Sequence, residues 1–284
     1  MRLIAIWAFP SSRNFFEMRL ITLLTDFGVQ DEYVGVMKGV IAGINQDARI
    51  VDISHHILPR DIVHGAFILA AAYPYFPCGT IHVAVVDPGV GGMRRILAVE
   101  TGGHLFVAPD NGLLERVLAH QSVTTAVSVV DPRFFLKHVS PTFHGRDIFA
   151  PVAAHLAAGL PLSELGPAVD RQTLVSGVVP RCRFSPDGCV EGMVVAVDRF
   201  GNLMTNIDAA TIDGLNRRLA GKTVVVELAG KPIGGIVAFY DRVAEHAPLA
   251  LIGSRGLLEI SVNGGSARRI LNAGRSDGVR VRPA

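Results

Sequence analysis

The stretch Ile81-His-Val-Ala-Val-Val-Asp87-Pro-Gly-Val-Gly-Gly-Met-Arg94-Arg95 constrains this chain more than any other. Its first half is an apolar run rich in β-branched residues, the pattern of a buried strand. The run stops in Asp87, Pro88 and the glycines 89, 91 and 92, a composition that makes a turn. In an open parallel α/β sheet, ligands gather at the carboxyl ends of the strands, which is where Asp87 stands. Glycines there let a backbone or ligand approach closely, because they lack a side chain and tolerate positive φ. Arg94 follows closely enough for the loop to fold it back onto Asp87. An ion pair that merely braces a tight turn would leave the same trace, since structural pairs also perturb ionisation without doing chemistry.

The rest of the chain sets the frame for that strand. Its 284 residues are 49% apolar and 18% charged, enough for two domains with substantial cores. The net charge of +2 comes without a basic block, which argues against nucleic acid as a partner. Cys78, Cys182 and Cys189 form no CxxC and cannot all pair, which fits a reducing cytoplasm. Cys182 and Cys189 are spaced to bridge a short loop, although bystander thiols are the simpler reading.

The mean hydropathy of +0.38 raises the question of a membrane. Gly65 to Val86 carries no Asp, Glu, Lys or Arg, yet Pro74, Pro77 and Gly79 would break a spanning helix. A buried helix, a turn and a buried strand are expected there, with no transmembrane segment. Leu3 to Phe9 is short for a signal-peptide core, and Ser11-Ser-Arg-Asn is a poor cleavage site. Met18-Arg-Leu-Ile-Thr reads as a natural start leading into a strand, so residues 1–17 are expected to be an extension.

From there the chain alternates. Strands are expected at Leu20–Thr25, Arg49–Ile53, Ile81–Val86, Ile96–Glu100, Leu105–Pro109 and Thr125–Val130. Helices are expected at Asp31–Ile44, Asp61–Tyr73 and Asn111–Leu118, the first with Val34, Met37, Val40, Ile41 and Ile44 on one face. This is a βαβ layout with a mostly parallel sheet. His144 and Gly145 form a turn ahead of an Ala-rich helix carrying Pro151 near its start and His155 as a packing residue. A helix N-terminus beside His144 favours the neutral imidazole. Tyr33 and the apolar helix faces are expected in the core. From Gly159 to Gly188 the periodicity lapses and the composition turns to Pro, Gly and Ser, as in a linker. Short strands at Cys189–Val197, Thr223–Leu228, Leu249–Ile252, Leu257–Ser261 and Gly278–Val281 then predict a small β-sandwich or barrel. The expected partition is residues 18–175 for the α/β domain, 176–188 for the linker and 189–284 for an all-β domain.

The polar clusters are Asp26 with Asp31, Asp87 with Arg94, His144, Asp198-Arg-Phe-Gly-Asn202, and Gly253-Ser254-Arg255-Gly256 with Glu259 and Asn263. No HExxH, paired cysteine, GxSxG elbow or Walker loop is present, so neither metal nor nucleotide chemistry is signalled. His55 and His56 are adjacent, and neighbours on a strand point to opposite faces.

Thr25-Asp26-Phe-Gly, Val86-Asp87-Pro-Gly-Val-Gly, Ala108-Pro-Asp-Asn-Gly-Leu-Leu, Thr142-Phe-His-Gly-Arg-Asp and Phe200-Gly-Asn-Leu-Met-Thr-Asn resemble, in order, the motifs of the S-adenosylmethionine (SAM) hydrolases. These SAM hydroxide adenosyltransferases are related to the fluorinase and chlorinase. The resemblance runs from about Met18 to the final strands. It implies a Rossmann-like N-terminal domain and a β-barrel C-terminal domain. It also implies homotrimers, with each site formed between one subunit's N-terminal domain and its neighbour's C-terminal domain. By position, Asp87, Arg94 and His144 match the triad that polarises water. Asp26, with Asp31 beside it, matches the carboxylate on the ribose hydroxyls. Phe200 and Asn202 fall where adenosine is met, Ser254 and Arg255 where the methionine end is held, and Val262 near the adenine edge. Glu259 lies in the same segment. No cofactor or metal is implied. The halogenating relatives carry Tyr where Asp87 stands, and the fluorinase carries Ser where Gly145 stands. A carboxylate repels halide and serves water, so hydrolysis to adenosine and L-methionine is the expected reaction. A halide-dependent adenosyltransferase and a non-catalytic SAM- or adenosine-binding protein are the alternatives.

Overall fold

The structure is a computed structural model that describes residues 20–119, 121–220 and 223–284. The expected extension over residues 1–17 and the start at Met18 lie outside the described residues. In chain order the first elements are β1 (Leu20–Thr25), α1 (Tyr33–Ile44), β2 (Arg49–Ser54), α2 (Ile62–Ala72), β3 (Ile81–Val85), β4 (Ile96–Thr101), β5 (His104–Pro109), α3 (Glu115–Ala119), β6 (Val123–Ser128) and α4 (Ala150–Ala157). There follow β7 (Arg183–Phe184), β8 (Val190–Val197), β9 (Leu203–Asp208), α5 (Ala209–Leu219), β10 (Val224–Leu228), β11 (Lys231–Gly234), β12 (Pro248–Ile252), β13 (Leu257–Val262), α6 (Ala267–Ile270) and β14 (Gly278–Pro283). Two compact units result, neither continuous in sequence. One holds the described residues up to Pro59 with Tyr75–Asp110 and Gln121–Thr173; the other holds Arg60–Pro74, the described part of Asn111–His120, and Leu174–Ala284.

The first unit is a mixed, mostly parallel six-stranded sheet in the order β2-β1-β3-β5-β4-β6. β1 runs parallel to β2 and β3, β3 runs parallel to β5, and β4 alone is antiparallel to its neighbours β5 and β6. β1 and β3 are buried almost end to end, as strands covered on both faces must be. Helix α1 turns Val34, Met37 and Ile41 into the core, one stripe at helical spacing. The chain leaves β1 towards β2 on one side and returns to β3 on the other. That reversal leaves a crevice at the carboxyl ends of β1 and β3, where Asp26 and Asp87 follow the last paired residues, Thr25 and Val85.

The second unit is an antiparallel eight-stranded sheet, ordered β11-β10-β14-β8-β9-β13-β12 with β7 beside β8. It curls until its ends nearly meet. Beyond β11, Ile236 bridges Ala250 of β12, and the Val237 N–H donates to the Ala250 carbonyl at 2.8 Å. Val190, Leu203, Val226, Ile260 and Val281 fill the interior of this near-barrel.

The unit is not all-β as expected. Helix α5 buries Ile212 and Leu215 against it, capped by Asp208, whose carboxylate accepts from the Thr211 N–H at 2.7 Å. Strand β9 also escapes the sequence pattern, because its Thr205 and Asn206 are polar and buried. Their side chains bond to main chain: Thr205 Oγ1 donates to the Leu258 carbonyl at 2.8 Å, and Asn206 Oδ1 accepts from the Met193 N–H at 2.8 Å. The stretch without periodicity also holds structure. Leu162 and Leu165 are buried in the α/β core, Ala168 bridges Val127, and Arg183–Phe184 pairs with β8. The short helix expected from Asn111 begins only at Glu115, because Gly112 at φ +93° bends the chain ahead of it. Gly65 to Val86 forms the expected helix, turn and strand, and among the described residues no helix is long and apolar enough to cross a membrane.

Candidate active site

Three side chains meet beyond the end of β3. Arg94 Nε lies 2.9 and 2.8 Å from the two oxygens of Asp87, and Nη2 makes a further close contact with Oδ2. The same Nη2 lies 3.0 Å from His144 Nδ1. Guanidinium has only donors, so His144 Nδ1 must accept, and the neutral ring carries its proton on Nε2. Burial, then the Arg94 charge, lowers the His144 pKa from its ordinary value against the opposing pull of Asp87 and Asp147. The cause is thus desolvation and a neighbouring cation rather than the helix terminus alone. Asp87 and Arg94 side chains are 4% and 11% exposed, so the pair is largely withdrawn from water.

Local sequence explains why these groups converge. Gly91 has φ +76°, and a Cβ there would land on the Pro141 carbonyl oxygen. Only glycine lets the loop bearing Arg94 lie against the loop bearing His144. The far end of the first loop is pinned by Arg95, which donates from Nε to Asp110 Oδ2 at 2.8 Å and from Nη1 to Thr173 Oγ1 at 3.0 Å. On the other side, His144 precedes a wide π-type turn, Gly145–Phe149, that runs into α4. Pro151 cannot donate to the Asp147 carbonyl, which instead accepts from the Leu136 N–H at 2.9 Å. The fully buried Asp147 carboxylate accepts from the Ser140 N–H at 2.8 Å and from Arg146 Nε at 2.6 Å. Burial pushes its pKa up, but those bonds outweigh burial and hold it below the usual carboxylate value. Sequence reading missed Asp147 as the post fixing the His144 loop; its place in Thr142-Phe-His-Gly-Arg-Asp was the available signal.

Asp26 sits after β1 with an aromatic group beside it. Phe27, Tyr33 and Phe143 contact one another edge-on or tilted, with centroids 5.0 to 5.9 Å apart. Tyr33 is 40% exposed and so is not the core residue expected. A Cβ on Gly145 would stand 3.1 Å from Phe27 and 3.2 Å from Phe143, so those rings close over the backbone next to His144. Asp31 is exposed in the turn ahead of α1. Adjacent His55 and His56 do face opposite ways, the first buried and the second exposed.

The remaining candidates lie in the second unit. Asp198 organises their first loop: its Oδ1 accepts from the N–H groups of Phe200 and Asn202 at 2.9 Å, and Oδ2 accepts from Asn202 Nδ2 at 2.9 Å. Asn202 is buried, while Phe200 is held outward at 77% exposure. Ser254 and Arg255 occupy an exposed turn, with Arg255 Nη1 against Met204 Sδ. Glu259 Oε1 accepts from the Tyr240 hydroxyl at 2.7 Å and from Ser261 Oγ at 2.8 Å. Burial, then Glu259, pushes the Tyr240 pKa up to about 12. The Val262 side chain is buried in this unit's core, and its carbonyl accepts from the Gly265 N–H at 3.1 Å. Asp198 was marked in sequence only as part of its polar cluster, with no role given, and Tyr240 was not singled out. No group of three or more His, Cys, Asp or Glu that could hold a metal occurs among the described residues.

A carboxylate held by a guanidinium, with a neutral imidazole beside it at the switch point of a mostly parallel sheet, is the arrangement of an α/β enzyme. Residues 21–166 and 192–280 match the models for the SAM hydroxide adenosyltransferase N-terminal and C-terminal domains. The chain belongs to that family. It is 40% identical over 266 residues to an (R)-S-adenosyl-L-methionine hydrolase of Salinispora arenicola, covering 92% of this chain and 97% of the relative. A Thermus thermophilus protein of the same name is 40% identical over 272 residues, covering 93% and 99%. A fluorinase of Actinopolyspora mzabensis is 28% identical over 288 residues, covering 92% and 96%. A solved structure from Thermotoga maritima matches with a TM-score of 0.81 at 36% identity, covering 92% of this chain and 99% of that one.

Proposed function

We propose that this protein hydrolyses S-adenosyl-L-methionine to adenosine and L-methionine by attack of water at C5′. The observation that carries the reading is the Asp87–Arg94–His144 contact set in a chain 40% identical to named hydrolases. Arg94 orients Asp87 while leaving lone pairs on both carboxylate oxygens. His144 offers Nε2–H, a donor that holds a water, and Asp87 accepts that water's proton as its oxygen bonds to C5′. The C5′–S bond breaks and its electron pair remains on the methionine sulfur, which turns from sulfonium to neutral thioether. Holding water in line with the C–S bond supplies much of the acceleration. The names of the relatives specify the R configuration at sulfur, and we extend that preference to this chain.

The finer assignments follow the same reading. The first unit acts as a Rossmann-like domain with Asp26, and Asp31 beside it, on the ribose. Phe200, Asn202 and the Val262 backbone meet the adenosine, and Ser254, Arg255 and Glu259 the methionine end. The chains form a homotrimer whose sites lie between subunits, which is supported by Phe200 standing 77% exposed within its own chain. As sequence segments, we take domains at 18–175 and 189–284 joined at 176–188, a division supported by the family matches over 21–166 and 192–280, although the compact units interleave 60–74 and 111–120 with the second. Cys78, Cys182 and Cys189 are all free, in keeping with a cytoplasmic setting. The test is chromatographic: separated sulfonium epimers are incubated in chloride-free, chloride and fluoride buffers. Equal yields of adenosine and methionine in all three are expected. A 5′-halo-adenosine, or saturable binding without product, would overturn the hydrolase reading.

A further inference from the structure

Behind Asp26 runs a chain of polar contacts, buried at its Thr25–His55 link and exposed at its Lys38–Asp52 end, that the reaction scheme above does not use. Thr25 Oγ1, at the end of β1, accepts from the Phe27 N–H at 3.2 Å and lies 2.8 Å from His55 Nδ1. That second contact ties the hydroxyl directly to the ring, whichever of the two groups donates. The other ring nitrogen, Nε2, lies 3.1 Å from Asp52 Oδ1 without forming a hydrogen bond, so this contact is electrostatic. Asp52 Oδ2 is in turn gripped by Lys38 Nζ at 2.6 Å. Burial raises the Asp52 pKa, but Lys38 and His55 prevail and lower it, keeping an anion opposite the ring. The His55 carbonyl closes the arrangement by accepting from the Gly28 N–H at 2.8 Å.

The turn Asp26-Phe27-Gly28 is thus fastened at both ends to His55, once through its ring by way of Thr25 and once through its backbone. The His55 side chain is 3% exposed, so the ring cannot turn to solvent for another partner. A buried imidazole, held by a carboxylate and aimed at a hydroxyl, is a device for fixing orientation. What it orients is the backbone carrying the Asp26 carboxylate and the Phe27 ring that closes over Gly145.

We propose that His55, with Thr25 and Asp52, is a positioning group that sets the Asp26 turn and thereby the enzyme's recognition of the ribose hydroxyls. This rests on the proposed hydrolase reading, with Asp26 at the ribose. The test compares S-adenosylmethionine with its 2′-deoxyribose analogue in the full-length wild type and in Thr25→Val, Thr25→Ser, His55→Gln and Asp52→Asn. The wild type is expected to prefer the ribose substrate in kcat/KM. Thr25→Val and His55→Gln should cut that preference about 3- to 10-fold, mainly through KM, the scale of one hydrogen bond. Thr25→Ser keeps the hydroxyl and should restore it. Asp52→Asn, on a half-exposed side chain, should cut it less and serves if the buried variants do not fold. A purely structural role would lower thermal stability and leave the preference intact. Ribose preference unchanged in Thr25→Val, or in Asp52→Asn where that variant stands in, overturns the inference, as does wild-type hydrolysis without any ribose preference. A wild type that releases no adenosine overturns the hydrolase reading instead.

Discussion

Arg94 bonds to both oxygens of Asp87 and also to His144, so one guanidinium fixes the proposed base and the tautomer of its neighbour together. Replacing Asp87 by Asn keeps the size and removes the proton acceptor. On the order of 10²- to 10⁴-fold loss of kcat is expected, with adenosine affinity little changed. Single-turnover kinetics beside calorimetric binding checks this, and an active Asp87→Asn enzyme would remove Asp87 from the chemistry. The lowered His144 pKa gives a signed expectation for pH. The ring stays neutral below the ordinary histidine value of about 6.5. The acid limb of kcat/KM should therefore fall below that pH, and the limb attributable to His144 should vanish in His144→Gln. A limb above pH 7 that this variant abolishes would contradict the assignment.

At the level of elements, the close approach of two loops and the pairing of three strands each carry a prediction. Gly91→Ala would drive a methyl into the Pro141 carbonyl at a positive φ, separating Arg94 from His144. A stability loss of about 1–3 kcal/mol and a larger loss in kcat than in substrate affinity are expected by denaturant titration and kinetics. Across β1, β3 and β5, Thr22 Oγ1 lies 2.8 Å from His82 Nδ1, and His82 Nε2 lies 3.2 Å from His104 Nδ1. Burial, then His104, lowers the His82 pKa to about 3, and burial lowers that of His104. The unfolded chain therefore takes up these protons first on acidification. Stability is full above about pH 6.5 and declines as the pH falls towards 3, by on the order of 4 kcal/mol for His82. Urea midpoints measured from pH 7 to 4 should fall in the wild type and flatten in His82→Asn. Equal slopes would show that the pair is charged in the folded state.

For the whole molecule, the proposed trimer implies that each site takes Asp87 from one subunit and Phe200 from another. Two inactive variants, Asp87→Asn and Phe200→Glu, should then regain activity when mixed under conditions of subunit exchange. Roughly a quarter of the sites would carry both intact residues in a randomly mixed cyclic trimer. No recovery despite demonstrated exchange would mean that each chain builds its own site. Much of the first unit was legible in sequence. Strands buried on both faces are apolar throughout, helix α1 repeats its apolar residues at helical spacing, and Asp87 interrupts a strand in a way that marks its end. Sequence alone thus determined the βαβ order, the position of Asp87 at a strand terminus and the nearness of Arg94. Helix α5 was passed over although Asp208 caps it and Ile212, Leu215 and Leu219 recur at helical spacing, whereas strand β9 stayed hidden because buried Thr205 and Asn206 are satisfied by distant main-chain groups that no local pattern records. For the same reason only the tertiary structure decided that His144 meets Arg94 across 50 residues of chain and that His55 reaches Thr25. Local periodicity reports which face of an element is buried, whereas a hydrogen bond between loops depends on where the whole sheet has carried their ends.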